Sequence, residues 1–287
     1  MAFLAETKKQ IQATKNTQKI TQAMQLVAAN KMKTFQKRAL AARTYAWSLV
    51  EALQLAGGSV DQLSFANAPT NASKKLFIFI TSDKGLCGSL NLRMMDTLFS
   101  SNAWKETPYD QRLLFTIGRK GYETALRLGY DVERHFNEIT EKTDSFEALQ
   151  VIDAVLDLWN TATISEVFLV STHYINPFTT IPNIKRYLPF SQDMIADHLH
   201  WKEYGLATAP SSAATMEKPI VFEPDSQRVV EVLSRQLAHM LFLQGFIEFK
   251  ASEYSSRMVA MKKATEAADE VVKNLTLLYN KGRQTAI

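Results

Sequence analysis

The chain has 287 residues, 46% hydrophobic and 22% charged, with a formal net charge of +4 and a single cysteine. That length supports one large domain or two ordinary ones, and the near-average composition excludes collagen, wholesale disorder and a disulfide scaffold. Cys87 alone cannot make an internal disulfide or a cysteine-based zinc cluster, and no apolar run is long enough for a membrane-spanning helix.

The N-terminal segment, residues 1–56, contains neither proline nor glycine and reads as one long helix. Met1–Lys15 is basic and amphipathic, lacks the apolar stretch of a secretory signal and carries Glu6. It therefore reads as helix in a cytosolic, unprocessed chain and not as a transit peptide. Nine basic residues between Lys8 and Arg43 face only Glu6 and Glu51, a net of +7. Such a rod suits an acidic partner, whether nucleic acid, an anionic membrane or acidic protein loops, or else it is simply a solvated helix face. The dispersed cations lack the dense clustering of a DNA-binding basic region.

The middle, 57–224, holds all eight prolines and eight of the ten glycines, with fifteen basic and twenty acidic residues. Its apolar runs Lys75–Ser82, Arg112–Ile117 and Glu166–Thr172 are short and rich in β-branched or aromatic residues, so they read as buried strands. Helical spacing over Leu90–Phe99, Lys120–Leu128 and Phe146–Trp159 separates them. Alternation of this kind predicts a Rossmann-like α/β insert with a mostly parallel sheet and right-handed crossovers. A further strand is expected over Thr179–Leu188, and Tyr204–Pro219 reads as a loop.

The C-terminal segment, 225–287, begins at a turn with capping side chains, Glu223-Pro224-Asp225-Ser226. From Leu233 through Leu237, Met240, Gln244, Ile247, Ala251, Tyr254, Met258, Met261, Thr265, Ala268, Val272 and Leu275 to Tyr279 the spacing is strictly 4-3-4-3. This heptad seam predicts a rod roughly 70 Å long, at ~1.5 Å per residue, that projects beyond the insert. Spacing alone also fits a helix hairpin in a bundle. With nine basic and seven acidic residues the segment is only mildly positive. Two long helices flanking an insert is the simplest organisation.

The sequence offers little catalytic chemistry. Thr81-Ser82-Asp83-Lys84-Gly85-Leu86-Cys87-Gly88 follows a strand but is neither a P-loop nor a dinucleotide fingerprint, because Lys84 precedes both glycines. Cys87 reads as a buried structural thiol in preference to a nucleophile activated at a helix N-terminus. His198-x-His200 would be a metal pair only on a strand, and a surface loop is the better reading. No nucleophile elbow occurs, and the scattered carboxylates suggest no acid/base couple.

Three stretches together resemble one family. Lys15-Asn16-Thr17-Gln18-Lys19-Ile20-Thr21-Gln22-Ala23-Met24, with Val27-Ala28-Ala29-Asn30-Lys31-Met32, is similar to the N-terminal signature of the gamma-subunit family of F-type ATP synthases. Thr81–Gly88 resembles that family's signature turn, carried by Asp83, Lys84, Gly85, Cys87 and Gly88. Ala251-Ser252-Glu253, Arg257–Lys262, Ala264-Thr265 and Leu275–Gln284 match its C-terminal block. Ser89 stands where the family has a second glycine and suits a helix N-cap. The chain stops at Ile287, before the family's usual tail, which leaves the uppermost bearing contact open.

The resemblance implies an antiparallel two-helix coiled coil carrying an α/β foot. It implies the role of a rotor shaft that couples ion-driven rotation to conformational change in catalytic beta subunits. Three alpha and three beta subunits, the epsilon subunit and the membrane c-ring are the implied partners. No cofactor, nucleic acid or direct small-molecule substrate is implied. Met24, Lys31, Arg257 and Gln284 match family positions lying against partner subunits. The implied location is peripheral, on the cytoplasmic face of a bacterial inner membrane. Without the resemblance, a nucleotide-binding α/β enzyme with a helical dimerisation arm and a free coiled-coil scaffold remain alternatives.

Overall fold

A computed structural model describes residues 2–56, 63, 65–137, 146–199, 222–223 and 225–285. In chain order these form α1 (Ala2–Leu55), β1 (Lys74–Ile80), α2 (Leu90–Ser100), a single helical turn α3 (Asn102–Lys105), β2 (Arg112–Ile117), α4 (Arg119–Arg127), β3 (Arg134–Phe136), α5 (Phe146–Asn160), β4 (Ile164–Asn176), β5 (Thr179–Leu188), α6 (Gln192–Leu199) and α7 (Ser226–Thr285). The predicted loop over Tyr204–Pro219, His200 and Pro224 lie outside the described residues.

α1 and α7 pair antiparallel over most of their length. Thr21 Oγ1 lies 2.7 Å from Thr265 Oγ1, Gln18 bonds Asp269, Phe35 stacks on Tyr254, and Arg43 reaches Glu248. The α7 seam meets its partner at the spacing read from the sequence. Met261 and Ala268 are buried and Thr265, Val272, Leu275 and Tyr279 half-buried, while Lys262, Glu266, Lys273 and Leu277 between them are exposed. α1 carries a matching seam that apolar periodicity did not reveal. It runs through Leu4, Thr7, Ile11, Thr14, Gln18, Thr21, Gln25, Ala28, Met32, Phe35, Ala39, Ala42 and Ala46. Its first half is mostly polar, and Ile20, Leu26 and Val27 point outward, so the hydrophobic signal is scrambled there.

The insert is a five-stranded sheet in the order β3-β2-β1-β4-β5. β3, β2, β1 and β4 run parallel, and β5 returns antiparallel beside β4 as a hairpin. β1 is central, and Leu76, Phe77, Ile78, Phe79 and Ile80 are all fully buried, as a strand covered on both faces requires. Phe77 meets Trp104, and Phe79 meets Phe99, on the face covered by α2 and α3. Alternation sends Leu76, Ile78 and Ile80 to the opposite face, where β4 packs against α7. Gly245 permits that approach, since a Cβ there would stand 2.8 Å from Leu169 Cδ2.

Three features depart from the sequence expectations. β3, three residues long at the sheet edge, and α6 carry too little periodic signal to be read in advance. His198 sits on α6 and not in a surface loop; it is buried, with Nε2 3.0 Å from the Arg186 carbonyl. Ser89 does occupy the N-cap position of α2, but its side chain makes no capping hydrogen bond. At the start of α7 the expected capping is present, with Arg228 N donating to Asp225 Oδ1 at 2.8 Å.

Candidate functional site

The signature turn is built at the C-terminal end of β1. Thr81 N donates to the Ile117 carbonyl, and Thr81 Oγ1 accepts from Gly121 N at 2.8 Å, tying β1 to the β2–α4 junction. Gly118 is required there twice over: its φ is +88°, and a Cβ would fall 2.0 Å from the Thr81 carbonyl oxygen. Beyond Thr81 the turn is held by side chains. Ser82 Oγ donates to the Lys84 carbonyl at 2.8 Å, and Asn91 Nδ2 donates to Ser82 Oγ at 2.7 Å and to Cys87 Sγ at 3.3 Å. Asp83 accepts from Arg119 N. Cys87 is buried beneath the turn, whereas Leu86, at φ +63°, is pushed outward with 61% of its surface exposed.

This turn docks on α7. Arg257 Nη2 donates to the carbonyls of Lys84 and Gly85, at 3.2 and 3.3 Å, and to Glu253 Oε1 at 2.7 Å. Glu253 also binds Lys250 Nζ at 3.1 Å through its other oxygen. Glu253 and Arg257 are four residues apart, so the helix places them on one face, and both are buried. A phosphate cradle presents converging amide donors; here the turn directs carbonyl oxygens at a guanidinium, the opposite polarity. The sequence motifs Thr81–Gly88 and Ala251–Thr265, far apart in the chain, thus form one structural joint.

Four predicted partner contacts are distributed unevenly. Lys31 and Arg257 share one aromatic ring, their cationic groups lying 5.2 and 5.3 Å from the Tyr254 centroid. Met24, half-buried on α1, lies farther up the rod, and Gln284 is exposed near the end of α7. At ~1.5 Å per residue Gln284 is roughly 40 Å from Arg257, so the structure does not bring it to the joint. The side chains not anticipated from sequence are Glu248, Glu253 and His173. Glu253 was legible as the acidic member of an i, i+4 pair with Arg257. Glu248 was legible only as the i+4 neighbour of Gln244, whose Nε2 donates to it at 2.6 Å, because its ion-pair partners come from other elements: Arg43 of α1 at 2.6 Å and His173 of β4 at 2.9 Å.

The basic character of α1 faces solvent. Lys8, Lys9, Lys15, Lys19, Lys33, Lys37 and Arg38 are all exposed, and Arg43 is turned inward to Glu248. Among the described residues no group of three or more His, Cys, Asp or Glu side chains is placed to hold a metal ion. No described helix is long and apolar enough to cross a membrane.

The ATP synthase family profile matches residues 3–287. ATP synthase gamma chains from Polaromonas sp. (strain JS666) and Ruthia magnifica are each 32% identical over 100% of this chain and 95% of theirs. The gamma chain of Methylococcus capsulatus is 31% identical with the same coverage. In fold, the chain is similar to a rotor chain of the Euglena gracilis mitochondrial ATP synthase, at 16% identity and a TM-score of 0.63 over 99% of both chains. A central-stalk/c-ring chain of the Tetrahymena thermophila enzyme aligns at 23% identity and a TM-score of 0.61, over 85% of this chain and 99% of that one. With its sequence signatures, its paired long helices and its α/β insert all accounted for, the chain belongs to the ATP synthase gamma chain family.

Proposed function

We propose that this chain is the central shaft of a rotary ATP synthase and carries no catalytic site of its own. The observation that carries the reading is a stiff antiparallel helix pair, anchored in an α/β insert and studded along α1 with solvent-facing cations. Its partners are a ring of three alpha and three beta subunits around the rod, with the epsilon subunit and membrane c-ring against the insert. The asymmetric rod makes different contacts with each beta subunit and so stabilises different conformations in them. Turning the rod, by proton or sodium flux, reassigns those contacts and with them the affinities for ATP and for ADP with phosphate. This is coupling through differential binding to alternative states. The exposed lysines of α1 supply the long-range attraction toward acidic loops of the ring. The chain reaches the membrane through its partners, at the cytoplasmic face of a bacterial inner membrane.

The test is co-expression with alpha and beta subunits from the same organism. The expected outcome is one copy of this chain in a purified assembly, with ATP hydrolysis that alpha and beta do not sustain without it. A chain that purifies alone, or as its own dimer, with no effect on hydrolysis contradicts the reading.

A further inference from the structure

The insert must turn with the rod if rotation is to pass between them, and most of what holds the two together is apolar. β4 lies across α7 through side chains such as Leu169 against Gly245, and burial of this kind is non-directional, fixing proximity better than register. Directional bonds add to it at three levels of α7. At the lowest, the Tyr187 hydroxyl donates to the Ala238 carbonyl, and Asp153 of α5 lies 3.4 Å from His239 and 3.8 Å from Arg235. The middle one is Glu248, which joins α7 to Arg43 of α1 and His173 of β4. The upper one is Arg257, one nitrogen of which serves the Glu253 carboxylate and two backbone carbonyls of the signature turn. Nearby, Ser255 Oγ donates to the Pro177 carbonyl at the tip of the β4–β5 hairpin. Farther along, at Thr265 and Asp269, the hydrogen bonds of α7 go to Thr21 and Gln18 of α1, so the joint is the outermost of the three ties between insert and rod. Any twist of the rod relative to the insert is therefore resisted there.

We propose that Glu253 and Arg257 are positioning residues that lock the signature turn to α7, so that insert and shaft rotate as one body. The proposal rests on the shaft reading. It assigns Arg257 a task inside the chain in place of direct recognition of a partner subunit. Glu253 discriminates the two roles, because its side chain is only 5% exposed and that of Arg257 10%. Glu253 orients the guanidinium; a partner subunit cannot reach it. A lysine at 257 keeps a single charged nitrogen with three donors for the three acceptors, although one atom shorter in reach.

The experiment uses the complete ATP synthase in sealed vesicles, reading ion pumping per ATP hydrolysed for the wild type, E253Q, R257A, R257K and the E253Q/R257A double variant. E253Q and R257A are each expected to lower that ratio by roughly threefold or more, with the double variant no worse than either, as for groups acting as a unit. R257K is expected to keep more than half of the wild-type ratio. A wild-type ratio in E253Q beside a fall in R257A overturns the proposal, and so do losses that multiply. Amide exchange of the full-length chain provides a readout that needs no assembly. In E253Q, faster exchange confined to residues 82–88 supports the lock. Faster exchange spread along residues 240–258 contradicts it, since Glu253 would then be a general core group. Failure of the shaft reading is separately visible, as a wild-type chain that neither assembles nor pumps.

Discussion

His198, expected from sequence in a surface loop beside His200, is buried on α6 against the Arg186 carbonyl. Burial, reinforced by the nearby Lys185 ammonium, lowers its pKa from 6.5 to about 4. The sign follows from linkage. Above pH 6.5 both folded and unfolded states hold the imidazole neutral, and no stability is lost. As the pH falls below 6.5 the unfolded chain takes up a proton that the folded chain refuses, so folding weakens until about pH 4. Between pH 7.5 and 5 this one residue is expected to remove about 2 kcal/mol. Urea unfolding of the full-length chain at both pH values checks it: H198Q should lose that part of the pH dependence. An unchanged dependence in H198Q would show that His198 is not the group responsible. Nothing in the local sequence signals this burial. Gln192–Leu199 is a helix of two turns, and the carbonyl it approaches lies on the neighbouring strand β5.

At the scale of elements, the two long helices were unequally legible. α7 announces itself by apolar residues at heptad spacing, whereas the seam of α1 uses Thr7, Thr14, Gln18 and Thr21 in its upper half. The same difference divides the rod physically. Ala28, Met32, Phe35, Ala39, Ala42, Ile247, Ala251 and Tyr254 form a buried apolar cluster low on the rod. Higher up, the cross-helix contacts include the Thr21–Thr265 and Gln18–Asp269 hydrogen bonds, and Asp269 is held ionised chiefly by Lys273 on its own helix. Local stability follows buried apolar contact. Amides of residues 8–20 and 268–280 are therefore expected to exchange roughly tenfold or more faster than those of residues 35–48 and 242–256 in the isolated chain. Uniform protection along both helices would contradict this division. The strands were easier to read, because burial on both faces makes β1 and β2 continuous apolar runs. The antiparallel return of β5 was not legible, since direction depends on a short hairpin and not on residue pattern.

For the whole molecule, the net charge of +4 conceals a basic rod and an acidic insert, and it is the arrangement that carries function. Sequence alone could place the signature turn after a strand and the Ala251–Thr265 block on a long helix. It could not show that Arg257 joins them, because backbone carbonyls carry no residue signature. The central claim is that this chain turns inside its ring, and single-molecule rotation tests it most directly. With the ring anchored, a probe is attached to the insert through K105C; Lys105 is exposed, and the native Cys87 is buried out of reach of the label. Unidirectional rotation that starts with ATP and stops without it is the predicted result. A probe that stays fixed, or only fluctuates, while the same assembly hydrolyses ATP would contradict the account.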